Sequence, residues 1–187
     1  MDQEFFAEGK PLRPSVVHLF VQSEYSLLDS AVRLEPLVEQ ARRLGVKSLG
    51  LADDSVMYGT IPFYKACKKA DIHPVIGLQI WLKGDLATAQ TARRMPEANR
   101  LVLLAENEDG YRSLVRLSTL AQMEGGGRPV LTLEQLAGHR NGIIVLSGGI
   151  DGEIFRLLAR QEEEKAVAVL RRYRDLFGPE HFFLQLE

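Results

Sequence analysis

A single cysteine, a single tryptophan and four histidines occur among 187 residues, and the formal net charge is only -2. The lone thiol, Cys67, excludes an internal disulfide framework and suits a reducing cytosol, so a cytoplasmic location is expected. Cys67 lies beside Phe63 and Tyr64 in a helical pattern, where a small core side chain is expected rather than a nucleophile. The small net charge offers no bulk attraction to phosphate and argues against free-standing nucleic-acid binding. The basic pairs Arg42–Arg43, Lys68–Lys69 and Arg171–Arg172 read as solvated helix faces. No apolar run approaches the roughly 18 residues of a membrane span. The opening "MDQEFFAEGK" lacks the apolar stretch of a signal peptide, and no membrane partner is expected. Also missing are a phosphate-cradling P-loop, a G-x-G-x-x-G and a Cys-x-x-C pair. Ser23, Ser26 and Ser147 have no histidine close in sequence to act as a base.

What remains is an ordinary globular composition, 45% hydrophobic and 26% charged, long enough for one domain. After a polar lead-in over residues 1–15, short apolar runs alternate with helical patterns over 16–187. "SVVHLFVQ" reads as a first strand. A helix follows, with Leu34, Leu37, Val38, Ala41 and Leu44 on one stripe, Pro36 in its first turn and Gly45 past its end. "VKSLGLAD" leads to a helix from Thr60 to Ala70. "HPVIGLQIWLKG", "RLVLLAEN", "NGIIVLSGG" and "HFFLQLE" read as further strands. Helices are expected over Asp109–Met123 and, as one or two, over Gly152–Gly178, where Ala166, Val169, Leu170, Tyr173 and Phe177 form a stripe. The Ala-, Arg- and Gln-rich stretch before "RLVLLAEN" and the turn "EGGGRP" read as loops. The alternation implies an α/β fold with a mainly parallel sheet of about five strands.

Side chains alternate faces along a strand. In the first run Val17, Leu19 and Val21 oppose His18, Phe20 and Gln22; in the third, Ile76, Leu78, Ile80 and Leu82 oppose Val75, Gly77, Gln79 and Trp81. One set is uniformly apolar and is expected against helices. The other is mixed, with polar residues at strand ends, as in a barrel whose functional residues gather at one mouth. Gln22, Asp54 and Gln79 are expected to meet there, joined by Asp29 and Asp53 from loops. The plainer alternative is that Gln79 and Gln185 are hydrogen-bonded interior amides. Of the histidines only His18 falls on the pocket parity. The glycines of "LSGGIDGE" suit a tight strand-to-helix turn better than an anion site.

The blocks "VHLFVQSEYSLLDS", "LGLADDSVMYGTIPFYKACKKADIHPVIGLQIWL", "RLVLLAENEDGYRSLVRLS" and "IIVLSGGIDGE" together resemble the PHP (polymerase and histidinol phosphatase) domain. They are most similar to the version at the N-terminus of bacterial replicative DNA polymerase III alpha subunits. The resemblance covers nearly the whole chain from Val16 and includes signatures without catalytic groups, "SEYSLLD" and "FYKACKKA". It implies a distorted β/α (TIM-like) barrel, present here as an N-terminal segment cut short at its C-terminal end. Active members hold zinc, manganese or iron and hydrolyse phosphoesters or remove 3' nucleotides; the polymerase domain of the parent enzyme uses magnesium.

The resemblance also marks the departures. Phe20 and Gln22 stand where the family has His-x-His, and Ala52–Asp53–Asp54 where it has Thr-Asp-His. Gln79 replaces a glutamate, Gly149 a Cys or His, and Arg100 a histidine. Asp29 and Asp53 are retained. A phenyl ring has no lone pair for a metal, and an amide is a poor substitute for imidazole or carboxylate. The pocket of His18, Phe20, Gln22, Asp29, Asp53, Asp54, Gln79, Gly149 and Gln185 is therefore expected to be vestigial, with no cofactor and a structural or docking role. Expected partners are the other domains of a polymerase, a proofreading exonuclease subunit, and DNA only through the parent enzyme. The rival expectation is a surviving metal-dependent phosphoesterase or 3'-5' exonuclease using His18, Asp29, Asp53 and Asp54.

Overall fold

The computed structural model describes residues 17–84, 98–124 and 129–186. The lead-in, the Ala/Arg/Gln-rich stretch, most of "EGGGRP" and Glu187 fall outside the described residues. The helices form where the apolar spacing demands them. In α1 (Leu34–Arg43) the residues Leu34, Val38 and Ala41 are buried at helical spacing, and Gly45 takes a left-handed φ of 73° just beyond the end. In α2 (Thr60–Lys69) the inward pair is Phe63 and Cys67. Cys67 has no solvent exposure, and burial pushes its thiol up to about 11, so it is an inert core residue. α3 spans Glu108–Glu124. α5 (Glu153–Ala159) and α6 (Glu163–Phe177) are separate helices, broken where Gln161 turns to φ 62°. Glu153 ties them together by accepting from Tyr173 Oη at 2.8 Å and Arg172 Nη2 at 3.0 Å.

The strands are β1 (Ser48–Asp54), β2 (His73–Lys83), β3 (Ala98–Ala105), β4 (Val130–Leu131), β5 (Ile143–Leu146) and β6 (Phe182–Phe183). They form one sheet in the order β1-β2-β3-β5-β6, with β4 also on β2. β1 pairs with the first half of β2 and β4 with Trp81–Leu82, so both occupy the edge of β2 that β3 leaves free. β4 and the short helix α4 (Leu133–Gly138) were not expected. Their signal was a Thr132/Gln135 capping box, in which each side chain satisfies the other residue's backbone N–H.

One expectation is corrected, and the barrel segment is met only as an α/β fold with an open sheet. The sheet is mixed, because β3 runs antiparallel to both β2 and β5. The residues between β2 and β3 need no helical crossover once the direction reverses. The six strands also do not close into a barrel; the sheet is open.

All the long helices cover one face. Leu78, Ile80 and Leu82 of β2, Leu101 and Leu103 of β3, and Ile143 and Val145 of β5 pack there against α3, α4, α5 and α6. Leu49 and Leu51 of β1 pack against α1 and α2. The opposite face carries a smaller cluster, Ala52, Val102, Leu104 and Leu146, with Phe20, Val75 and Ile144 around it. The parity read for β2 therefore holds.

The first run is not a regular strand. The carbonyls of His18 and Val21 accept from Gly50 and Ala52 at 2.7 and 2.8 Å, setting three residues' advance against two on β1. This is a bulge, and it breaks the alternation. Phe20 reaches the small cluster and Val21 the helix side, as expected. Val17, His18 and Leu19 are exposed. The bulged segment lies so close over Gly50 that a Cβ there would sit 2.2 Å from the Leu19 carbonyl oxygen.

Gly50→Ala is accordingly expected to lower stability by about 1–3 kcal/mol in urea denaturation, since the backbone must shift to admit the methyl. Gly138→Ala, where an added Cβ meets nothing within 4 Å, is expected to be neutral or to stabilise by up to about 1 kcal/mol.

Candidate functional site

The strand registers place the polar residues in rows across the uncovered face. Ala52, Gly77, Leu104 and Ile144 form an apolar row, and Asp54, Gln79, Val102 and Leu146 form the next. Beyond them Trp81 lies opposite Arg100. Polar character thus gathers at one end of the sheet, the C-terminal ends of β1 and β2 and the N-terminal end of antiparallel β3.

Gln22, Asp54 and Gln79 do meet there. Gln22 Nε2 donates to Gln79 Oε1 at 3.2 Å. Asp54 Oδ1 accepts from Trp81 Nε1 at 2.9 Å and Ser55 Oγ at 2.8 Å, and Gln79 also hydrogen-bonds this carboxylate. Burial nevertheless pushes the Asp54 carboxyl above its ordinary value of 3.8; the nearby negative charge of Asp29 adds to the rise, and these hydrogen bonds oppose it. Asp29 itself lies exposed in the turn that follows Ser26.

Arg100 fills the neighbouring position. Its side chain is only 11% exposed, and its guanidinium carbon lies 5.1 Å from the centre of the Phe20 ring. Nε donates to the Gly148 carbonyl at 2.8 Å, and Nη1 lies 3.5 Å from Asp151. Arg156 shares Asp151 at 3.3 Å and donates to the Ala98 carbonyl at 2.8 Å. Gly148 must lack a side chain here, because its φ is 82° and a Cβ would fall 2.0 Å from the Arg100 carbonyl oxygen. Gly149 is buried and opens a short 3-10 turn, Gly149–Asp151.

Asp53 departs from its expected place. It belongs to β1, points to the helix side and is 2% exposed. Its Oδ1 accepts from the Ser23 backbone N–H at 2.6 Å, Ser23 Oγ at 2.9 Å and Ser26 Oγ at 2.8 Å. It anchors the "SEYSLLD" turn and has little capacity left for a ligand. His18 is exposed. Gln185 is half-buried, and its backbone N–H donates to Ser147 Oγ at 2.9 Å, next to the β5–β6 pairing. Among the described residues no three His, Cys, Asp or Glu side chains converge to hold a metal ion. Sequence reasoning had Trp81 on the correct face but gave it no role. The tie of Ser23 and Ser26 to Asp53 carried no local signal.

An α/β domain with a polar cluster at one end of its sheet is the class that fold and site define. The PHP domain profile matches residues 18–187, and the chain belongs to the PHP domain family. The DNA polymerase III subunit alpha of Bacillus subtilis is 41% identical over 175 residues, covering 92% of this chain. That of Treponema pallidum is 37% identical over 180 residues, covering 94%. In each case the matched region is 15% of the relative's own length. Among solved structures, an amidohydrolase from Chromobacterium violaceum with bound SO4 and no metal matches with a TM-score of 0.50 at 11% identity. It covers 90% of this chain and 84% of that one, a likeness of fold.

The chain's one tryptophan donates to Asp54, so its fluorescence is expected to follow that carboxyl. Because the folded-state pKa is raised, the folded protein holds this proton more tightly than the unfolded chain. The stabilising contribution is present at low pH and is lost as pH rises from 3.8 through the raised value. Trp81 emission should titrate with a midpoint above 3.8, and Asp54→Asn should abolish both the titration and its share of the pH-dependent thermal midpoint.

Proposed function

We propose that this chain is an N-terminal PHP module of a bacterial DNA polymerase III alpha subunit and serves DNA replication as a structural or docking part, with its metal site given over to protein groups. Polymerisation, with its magnesium, belongs in this reading to other domains of the longer protein. The open sheet is then a section of the family's distorted barrel. The similarity to named alpha subunits over 92% of the chain supports the first part.

The observation that carries the second part is the guanidinium of Arg100 lying against Phe20 on the pocket face. Arginine keeps its charge at all ordinary pH values, so a fixed positive charge stands beside the residues that would have to hold a metal cation. The donor set does not fit zinc, manganese or iron. Phe20 supplies no lone pair, Gln22 and Gln79 are joined to each other, and Gly149 has no side chain. Asp54 is already occupied by Trp81 and Ser55. The rival phosphoesterase would have to use His18, which is exposed, and Asp53, which is committed to Ser23 and Ser26.

Protein purified without chelator is expected to carry no stoichiometric zinc, manganese or iron by elemental analysis, and to release no nitrophenol from 4-nitrophenyl phosphate. Bound metal at unit stoichiometry together with chelator-sensitive hydrolysis would overturn the proposal. Arg100→Met keeps most of the apolar stem but removes the charged hydrogen bonds. It is expected to cost about 1–3 kcal/mol in urea denaturation without creating metal binding.

A further inference from the structure

Tyr25 of "SEYSLLD" reaches the start of the helix that carries "FYKACKKA", and both contribute side chains to one outer surface. Tyr25, from "SEYSLLD", lies against Gly59 at the start of α2, where a Cβ on Gly59 would be 3.0 Å from its Cδ2. Next to it Tyr58 is 69% exposed. Ile61 and Tyr64 follow along α2 at 53% and 45%. With Lys65 and Lys68, also exposed, they occupy the i, i+3, i+4, i+7 positions of one helix face. The core is served by the opposite face, through Phe63 and Cys67.

The charge of this face is also unbalanced. α2 reads "TIPFYKACKK", with three lysines and no acidic residue. Several cations on other helices are matched: Arg42 and Arg43 by Glu39, Arg112 by Glu108, and Lys165 by Glu162. Lys65, Lys68 and Lys69 have no carboxylate partner among the described residues, and Lys68 instead lies 5.5 Å from the centre of the Tyr64 ring. In a chain of net charge -2, this is a local concentration of one sign around exposed apolar side chains.

We propose that the face formed by Tyr25, Tyr58, Ile61, Tyr64, Lys65 and Lys68 docks an acidic amphipathic helix of a partner. The proposal rests on the docking role inferred above and names its surface. Apolar side chains of such a helix would cover Ile61 and the tyrosines, and its carboxylates would meet the lysines along the edge. This matches the general way an amphipathic helix reads a spaced row of anchors. Ten residues of α2 extend about 15 Å, enough to meet two to three turns of a partner helix. Single-stranded nucleic acid fits less well, because Ile61 interrupts the aromatic row on which bases would stack.

The test uses the full chain and three fluorescent probes read by anisotropy. These are a synthetic helix with leucines at i, i+3, i+4 and i+7 and glutamates elsewhere, its lysine-for-glutamate counterpart, and oligo-dT. The acidic helix is expected to bind saturably and in preference to the other two. Lys65→Glu combined with Lys68→Glu should weaken it at least about tenfold and turn the preference to the lysine helix. Ile61→Ser should weaken both helices. All three positions are exposed, and unchanged circular dichroism and thermal midpoint would confirm intact folding. Equal binding of both helices, binding of oligo-dT in place of the acidic helix, or indifference to the charge reversal would each overturn the proposal. None of these results bears on metal content or phosphoester hydrolysis, so the docking surface and the metal-free pocket stand or fall separately.

Discussion

The buried carboxylate of Asp53 holds the architecture of this domain's polar end together. A carboxylate at 2% exposure is tolerable only with a full set of donors, and all the recorded ones come from a turn 27 to 30 residues earlier in the chain. Ser23 and Ser26 supply them, which fixes the turn against the end of β1. Ser26 Oγ then does a second task, accepting the Asp54 backbone N–H at 3.0 Å. Adjacent aspartates on one strand face opposite ways, so one bond network serves both faces. Asp53 anchors the turn on the helix side, and Asp54 joins Gln79 and Trp81 on the other. Tyr25 is carried by the same turn to the start of α2. Pocket and outer surface therefore share one anchor.

Polar chemistry at the other side of the pocket follows a different logic. Arg100 lies low in exposure, yet it is matched by a ring face, a carbonyl and a shared carboxylate. Those partners offset the cost of holding a guanidinium at such low exposure. The packing beside it is close, since Gly148 fits only because it has no Cβ.

Much of the fold was legible in local periodicity. The stripe Leu34–Val38–Ala41, the stripe Ala166–Val169–Tyr173 and the alternation along β2 report burial directly, because each residue's neighbours lie within one helical turn or two strand positions. The meeting of Gln22, Asp54 and Gln79 was legible for the same reason, once parity and strand ends were known. Asp53 was expected in a loop, whereas it lies within β1, which runs on to Asp54. The bulge between His18 and Val21 was not legible, because alternation does not survive an inserted residue.

Amino-acid order alone determined most of the segments that are helical or extended, which side of most strands is apolar, and that Phe20, Gln22 and Gln79 bring no imidazole or carboxylate to the pocket. These are properties of spacing and of side-chain chemistry, and they need no partner across the chain. Only the tertiary structure decided the direction of β3, because an extended segment carries the same alternation whichever way it is paired. That direction put Arg100, at the beginning of a strand, beside residues at the ends of two others. It also decided that Asp53 and Asp54 have separate tasks, and that Tyr25 lies against Gly59 at the start of α2. Such facts depend on hydrogen bonds between distant segments, whose partners no local pattern names.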